Sequence, residues 1–175
     1  MAKWKPPSRR PRRRFSISGL RLAVLAGLFV ASVWLWGDGG SWEPPAFLQT
    51  EPQRIEGSFT RCGLGRGYYC VVDGDSFKMG ETSVRVVGID TAEVEAACPE
   101  EAAQAEASTA ALQRWLNRGP FRLSARIDEP TDKYGRALRI VKRIHPDGSE
   151  DLLADYMRAE GGARGYGGGG RGDWC

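Results

Sequence analysis

The segment "VVDGDSF", residues 71–77, places two carboxylates around a glycine inside a run that otherwise has the composition of a β-strand. Its two valines favour a pleated, half-buried surface, and apolar alternation resumes over residues 76–79. Asp73, Gly74 and Asp75 all disfavour strands. Two interpretations are open for these three residues. Asp-Gly between apolar runs is a common signal for a hairpin turn, whereas a β-bulge would direct a carboxylate towards a ligand, often a cation.

Strand signals cluster on both sides of this segment, and one long helix separates them from further strands. Apolar alternation and turn residues predict strands over residues 54–59, 68–72, 76–79, 83–89, 121–127 and 137–144. A helix is predicted over 99–118, because proline and acidic residues open it, arginines lie in its last turn and Gly119-Pro120 ends it. Its expected buried stripe is Ala105, Ser108, Ala111, Leu112 and Trp115.

This order of elements indicates a mixed, mainly β fold in one domain over residues 54–175. A second, shorter helix is predicted over 151–160, ended by two glycines. Short consecutive strands interrupted by one long helix favour a small barrel over a parallel sheet. We therefore expect a five-stranded barrel of the OB type with two helices, preceded by an N-terminal transmembrane helix.

Charge divides the 175-residue chain into two parts. Residues 1–36 hold eight basic residues and no acidic one, whereas the remainder holds 17 basic and 22 acidic residues, a net charge of −5. The run 22–36 is uncharged and almost wholly apolar, and together with residues 20–21 it makes a short membrane span. Basic residues before such a span stay on the cytoplasmic side, so the rest of the chain is expected outside.

These features predict a basic cytoplasmic arm over 1–19, a transmembrane signal anchor over 20–36, a linker over 37–53 and an exported domain over 54–175. The expected location is the bacterial inner membrane, with the domain on the periplasmic or extracellular side. The alternative is a cleaved signal peptide and a secreted protein, because "RRRFSI" fits a twin-arginine export signal. No small-x-small site closes the apolar run, which favours the uncleaved anchor.

All four cysteines lie in the exported part, where an oxidising compartment favours disulfides. The even count leaves three connectivities open. Cys62 and Cys70 flank a glycine-rich turn that a disulfide between them would close, in which case Cys98 would pair with Cys175. A zinc site is the alternative, but the chain has no Cys-x-x-Cys pair and only one histidine.

Polar residues interrupt or end several predicted strands. A barrel would bring together three carboxylates and two arginines, Asp75, Asp90, Glu93, Arg85 and Arg136. The single histidine lies in a turn beside a proline, so imidazole catalysis and a serine triad are poorly supported. Oxygen ligands suit a hard cation such as calcium, and arginines aimed at the same place suit a phosphate. Such a set suits phosphodiester hydrolysis.

Three ordered blocks, "DGDSF", "VRVVGIDTAE" and "DKYGRA", resemble the pattern of the staphylococcal nuclease (thermonuclease) family. That pattern is an Asp-Gly-Asp-[Thr/Ser] segment, an arginine five residues before Asp-[Thr/Ala]-Pro-Glu, and a later Asp-Lys-Tyr-Gly-Arg. The resemblance covers about residues 54–175, including the helix between the second and third blocks. It implies an OB-fold nuclease domain with calcium (Ca²⁺) as cofactor and DNA or RNA as substrate.

The resemblance also implies a role for each matching residue. The calcium ligands are Asp75, Asp90 and the carbonyl of Thr91. Arg85 and Arg136 match the arginines that hold the scissile phosphate, and Glu93 matches the proposed general base. The supporting carboxylates are Asp73 and Asp132, and the residues that line the nucleotide pocket are Tyr134 and Tyr166.

One departure from the family pattern affects the general base. Ala92 replaces the proline after Asp-Thr, so the loop that carries Glu93 loses a restraint on φ. With all three blocks present, we interpret residues 73–75 as a bulge whose geometry Gly74 permits. We predict an exported nuclease, attached to the membrane through its N-terminal helix, without an obligate protein partner. The alternatives are a catalytically silent OB-fold module that binds nucleic acid or protein, and a structural protein of the cell envelope.

Overall fold

The structure is a computed structural model that describes residues 24–29, 32, 43–63, 65–170 and 172–175. The chain divides into two units, residues 1–39 and 40–175, and residues 24–29 of the first unit are helical. The predicted arm (1–19) and most of the predicted transmembrane segment (20–36) lie outside the described residues. Among the residues that are described, no helix has both the length and the apolar character needed to cross a membrane.

The second unit is mainly β, which confirms the predicted class. Its described part contains strands β1 (Gln53–Ile55), β2 (Thr60–Arg61), β3 (Tyr69–Val71), β4 (Ser76–Met79), β5 (Thr82–Val86), β6 (Ile89–Asp90), β7 (Phe121–Ser124), β8 (Ala137–Ile144), β9 (Glu150–Leu152) and β10 (Arg164–Gly165). The helices of this unit are α1 (Pro99–Leu116), α2 (Leu153–Glu160) and a 3-10 turn (Ala46–Leu48).

The parallel pair β5–β8 lies at the centre of a mixed sheet that curls into a half-barrel. The strand order is β1-β7-β8-β5-β4-β3-β2, and β9 extends the sheet by pairing with β8. A separate antiparallel pair joins β10 to β6. The prediction of five strands is too low, because two-residue strands such as β2 and β6 are too short to leave a periodic signal in the sequence.

Helix α1 closes the half-barrel and begins at the residue that the sequence predicted. Pro99 occupies its first position, where the missing N–H costs nothing. The carboxylate of Glu101 accepts the N–H of Ala97 at 2.6 Å, which satisfies a donor just before the helix. All five residues of the predicted stripe are buried, as expected for the face that packs on the sheet.

The core between α1 and the sheet is aromatic. Phe59, Phe77, Trp115 and Phe121 are almost fully buried, and the ring centroids of neighbouring members lie between 5.6 and 6.4 Å apart. Tilted and edge-to-face contacts of this kind stabilise beyond the area that they bury. This core fixes β4, β7 and α1 relative to one another, and therefore fixes the loops at their ends.

Part of the predicted linker belongs to the folded domain. The N–H of Thr50 donates to the carbonyl of Ala125 at 2.8 Å, and Gln49 pairs with Arg126 as an isolated bridge. The side chain of Gln49 also accepts a hydrogen bond from Ser124 at 2.7 Å. The sequence did not predict this contact at the edge of the sheet, because the segment is rich in proline and polar residues and has no apolar periodicity.

Both disulfides are the pairs that the cysteine spacing suggested, Cys62–Cys70 and Cys98–Cys175. No cysteine is free in the described part of the chain. The first bond closes the turn between β2 and β3. The second joins the last residue of the chain to the residue before α1, so the glycine-rich tail is covalently held at both ends.

The two disulfides should differ in what they contribute to stability. Their sequence separations are 8 and 77 residues, so the longer loop loses more entropy in the unfolded chain. We expect the Cys62→Ser/Cys70→Ser double variant to lose about 2–3 kcal/mol of unfolding free energy, and Cys98→Ser/Cys175→Ser about 4–5 kcal/mol. Urea denaturation of both variants measures this, and an equal loss would contradict the chain-entropy explanation.

Candidate active site

Residues 73–75, the Asp-Gly-Asp segment, connect two antiparallel strands. Residues 73–75 lie between β3 and β4, so the structure has a hairpin here, and the prediction of a bulge inside one continuous strand is wrong. A bulge-like pair closes the hairpin, because the N–H groups of Val72 and Asp73 both donate to the carbonyl of Ser76. The carboxylate of Asp73 accepts the N–H of Asp75 at 3.0 Å, which orders the turn.

The φ of Gly74 lies outside the left-handed region, so backbone conformation does not require a glycine here. Close packing does. A Cβ at this position would lie 2.5 Å from the Cβ of Ser108 in α1 and 2.8 Å from the Oγ1 of Thr91. Real Cβ atoms do not approach neighbours so closely, and thus only glycine fits without a shift. The hairpin, α1 and the loop after β6 therefore meet at this glycine.

Arg85 on β5 joins the two aspartates that the sequence selected as metal ligands. Its Nη1 donates to Oδ1 of Asp75 at 2.8 Å, and its Nη2 lies 3.3 Å from Oδ1 of Asp90. All three side chains are at most 7% exposed. Charges this far from water persist only when they are paired and hydrogen-bonded. The three residues, named the charged triad below, come from β5, β6 and the hairpin.

With both aspartates ionised, the charged triad would carry more negative than positive charge. Burial and the neighbouring Asp73 raise the pKa of Asp75 from 3.8 to about 7, although Arg85 and a hydrogen bond from Ser76 act in the opposite direction. The single guanidinium is therefore not sufficient to stabilise all the carboxylates around it. A site with this excess favours a further cation over an unpaired carboxylate.

The donor set of the triad fits calcium better than zinc. Asp75 and Asp90 offer carboxylate oxygens, and the buried Thr91 follows directly with a backbone carbonyl. Hard cations take such oxygen ligands. Within the described residues, Cys98, Glu101 and Cys175 also bring ligand atoms within 4.8 Å of one another. Both of those sulfurs are joined in a disulfide, so they cannot act as thiolate ligands for zinc.

The loop before β8 is organised by one carboxylate. Oδ1 of Asp132 accepts the N–H groups of Tyr134 and Arg136, each at 2.9 Å, and Oδ2 accepts Nε of Arg136 at 2.7 Å. Burial acts to raise the pKa of Asp132, but these hydrogen bonds outweigh it and hold that pKa below its usual range. Asp132 thus remains ionised and fixes the direction of the Arg136 side chain.

An open cleft of about 870 Å³ lies beside the triad. Six of the residues selected from the sequence line it, Arg85, Glu93, Asp132, Tyr134, Arg136 and Tyr166. Asp75 and Asp90 do not line the cleft, but both pair with Arg85, which does. Asp73 lies in the hairpin and does not line the cleft either. Both arginines and the half-buried Glu93 therefore face one space, although they lie in three separate segments of the chain.

The C-terminal tail supplies the wall that carries Tyr166. β10 pairs with β6 so that Arg164 lies opposite Asp90, and the N–H of Tyr166 donates to the carbonyl of Gly88 at 3.0 Å. The ring centroid of Tyr166 lies 5.9 Å from Cζ of Arg85, and that of Tyr134 lies 5.6 Å from Cζ of Arg136. The glycine-rich tail is thus part of the site.

Several cleft residues were not selected from the sequence. They are Glu129, Thr131, Lys133, Leu138, Gly168 and Gly169. Lys133 and Leu138 carried a usable signal, since Lys133 lies inside the "DKYGRA" block and Leu138 directly follows it. In the sequence, Glu129 cannot be told from an ordinary solvated loop carboxylate, and the glycines have no side chain that would indicate a role.

A scan of the chain against models of protein families finds no match, and a search of curated proteins finds no similar sequence. Function is therefore inferred from the residues of the site.

Replacing Gly74 should destabilise the protein through overpacking. Gly74→Ala puts a Cβ into space held by Ser108 and Thr91, and we expect a loss of about 1–3 kcal/mol in unfolding free energy. The matched control is Gly67→Ala, whose Cβ would meet its nearest atom at an ordinary 3.6 Å. Equal stability of the two variants in urea denaturation would contradict the close-packing explanation.

The raised pKa of Asp75 predicts a pH-dependent stability in the absence of metal. The folded carboxyl holds its proton up to about pH 7, whereas the unfolded one loses it near the ordinary value of 3.8. Its contribution is therefore largest at low pH and is lost as pH rises from about 4 to 7. In chelator, the stability of Asp75→Asn relative to the unaltered protein should rise between pH 5 and pH 8. A difference independent of pH would show that Asp75 titrates normally.

Proposed function

We propose that this protein is an exported, calcium-dependent nuclease that hydrolyses phosphodiester bonds of DNA or RNA. The observation that carries the proposal is the cleft, where Arg85, Arg136 and Glu93 face one space and Arg85 pairs with two buried aspartates. Planar guanidiniums bind phosphate oxygens two at a time and never lose their charge. The curled sheet supports the finer proposal that the fold is an OB-type barrel.

In this proposal the chain's own residues divide the work of hydrolysis. Arg85 and Arg136 hold the scissile phosphate and stabilise the charge that develops on its oxygens in the transition state. Glu93 accepts a proton from the water whose oxygen attacks phosphorus, while the bond from phosphorus to the departing oxygen breaks. Asp132 positions Arg136 through the hydrogen bonds described above, and Tyr134 and Tyr166 contact the nucleotide.

Asp75, Asp90 and the carbonyl of Thr91 are the residues that would hold calcium. When bound, the ion supplies positive charge that polarises the phosphate and lowers the pKa of water. The negative excess of the triad supports this assignment, because Asp75 is costly to ionise without a second cation nearby. The segregated charge and the apolar run 22–36 support attachment to the membrane, with the catalytic domain outside the cytoplasm.

Turnover should depend on the paired donors of the cleft arginines. Arg136→Lys keeps the charge but loses the fork of donors, so we expect kcat on single-stranded DNA to fall about 100-fold, with calcium affinity unchanged. Arg122→Lys is the matched control, because its side chain is exposed on β7 and lines no part of the cleft. Cleavage is followed with calcium or with chelator, and calcium affinity by titration calorimetry.

Two outcomes of that experiment would change the assignment. Full activity of Arg136→Lys would place the hydrolytic centre outside the cleft. Tight binding of DNA by the unaltered protein without any calcium-dependent cleavage would instead identify a catalytically silent binding module.

A further inference from the structure

Residues 164–175, named the strap below, run along the cleft between two fixed points. The strap begins after Ala163, whose N–H donates to a carbonyl of α2 at 3.0 Å. It ends at the disulfide that joins Cys175 to Cys98, the residue before α1. Between these points it contributes Tyr166 and two glycines to the lining of the cleft.

Noncovalent contacts hold the middle of the strap only weakly. Six of its twelve residues are glycine, which loses the most backbone freedom when it is ordered. Its pairing with β6 is two residues long, and the N–H of Tyr166 adds a hydrogen bond, at 3.0 Å, to the carbonyl of Gly88. The stacking of Arg164 on Trp174 joins one part of the strap to another. Because fixing both ends limits the conformations that the strap must give up, its position depends on the disulfide.

The disulfide that holds the strap is the more accessible of the two. Cys175 is exposed and Cys98 is half-buried, whereas Cys62 is half-buried and Cys70 is fully buried. Thiol–disulfide exchange requires a thiolate to reach one of the two sulfurs. An external reductant therefore attacks the bond of the strap before the bond that closes the turn between β2 and β3.

We propose that the Cys98–Cys175 disulfide is a redox-sensitive switch that controls the cleft. The thiolate of an external dithiol attacks one sulfur and the S–S bond breaks. A second exchange leaves both cysteines as thiols and the reductant as a disulfide, so two electrons and two protons pass to the protein. The strap is then released and Tyr166 leaves Arg85, while the rest of the domain stays folded. The inference rests on the proposed function, because it concerns the regulation of the same cleft.

The switch ties activity to the compartment in which the protein lies. Disulfides are rare in a reducing cytoplasm and persist outside it. The chain therefore has an incomplete cleft where it is synthesised, next to the nucleic acids of the cell, and a complete cleft where disulfides form. The other disulfide does not act in this way, because neither Cys62 nor Cys70 lines the cleft.

The test uses the full chain with Cys62→Ser/Cys70→Ser, in which Cys98–Cys175 is the only disulfide. The protein is equilibrated at defined ratios of reduced to oxidised dithiothreitol, and mass spectrometry counts its free thiols. Hydrogen–deuterium exchange of peptides from the strap and from β8 is measured at each ratio. Anisotropy of a fluorescein-labelled deoxythymidine hexamer in chelator measures binding, and its cleavage in calcium measures hydrolysis. The matched control is Cys98→Ser/Cys175→Ser, which keeps the other disulfide.

We expect the strap to lose its protection from exchange on reduction, while β8 in the core keeps its own. Binding of the hexamer should weaken about tenfold, within the range that stacking on one aromatic side chain contributes. Both changes should occur at the same ratio of reduced to oxidised dithiothreitol, which a purely structural disulfide does not produce. Cys98→Ser/Cys175→Ser should bind as weakly as the reduced protein at every ratio.

A strap that stays protected after both thiols are free overturns the inference. Loss of protection in β8 together with the strap also overturns it, because the disulfide then maintains the whole fold. If Cys62→Ser/Cys70→Ser does not fold, the same measurements are made on the unaltered protein, with alkylation and mass mapping to identify the reduced bond.

Hydrolysis separates the switch from the proposed function. Equal binding and equal hydrolysis before and after release of the strap overturn the switch and leave the nuclease proposal standing. Weaker binding after reduction, with no hydrolysis in either state, supports the switch and overturns the nuclease proposal.

Discussion

The structure depends most on a single buried cation placed between two buried carboxylates. Arg85 contacts Asp75 at 2.8 Å and Asp90 at 3.3 Å, in surroundings where an unpaired charge is strongly unfavourable. The hairpin, β5 and β6 must therefore meet at one place, and the packing of Gly74 against Thr91 and α1 brings the hairpin and the loop after β6 together. The same constraint makes Asp75 costly to ionise, which supports the proposal that a cation binds beside it.

The glycine-rich tail is held on the domain by contacts other than hydrophobic burial. Residues 161–172 contain too few apolar side chains to bury, so hydrophobic burial cannot hold them on the domain. Backbone pairing of β10 with β6, the stacking of Arg164 on the ring of Trp174 and the Cys98–Cys175 disulfide hold them instead. Because glycine has no side chain, the tail lines the cleft at Gly168 and Gly169 with backbone alone.

Sequence reasoning predicted the parts of the fold that carry a periodic signal. β4 and β8 have the predicted bounds, and α1 begins where predicted, because alternation and helix caps are local properties of the chain. β6 and β10 were missed since each has two residues and exists only through its partner. At residues 73–75 the sequence could not distinguish a bulge from a hairpin, because the same residue types are typical of both. Only the pairing of β3 with β4 distinguishes them. The triad was predictable because charges inside apolar strands are rare, whereas Glu129 looks like an ordinary loop residue.

The charge of the folded part limits how the proposed nuclease could hold a nucleic acid. Residues 37–175 carry a net charge of −5, so long-range attraction cannot supply most of the affinity for a polyanion. Of the basic residues described, Arg85, Lys133 and Arg136 line the cleft. Both of these arginines already pair with aspartates. A nucleic acid bound as we propose would therefore have to gain affinity from its bases as well as its phosphates. Contacts to bases require apolar or aromatic walls beside the arginines, and Tyr134, Leu138 and Tyr166 line the cleft beside them.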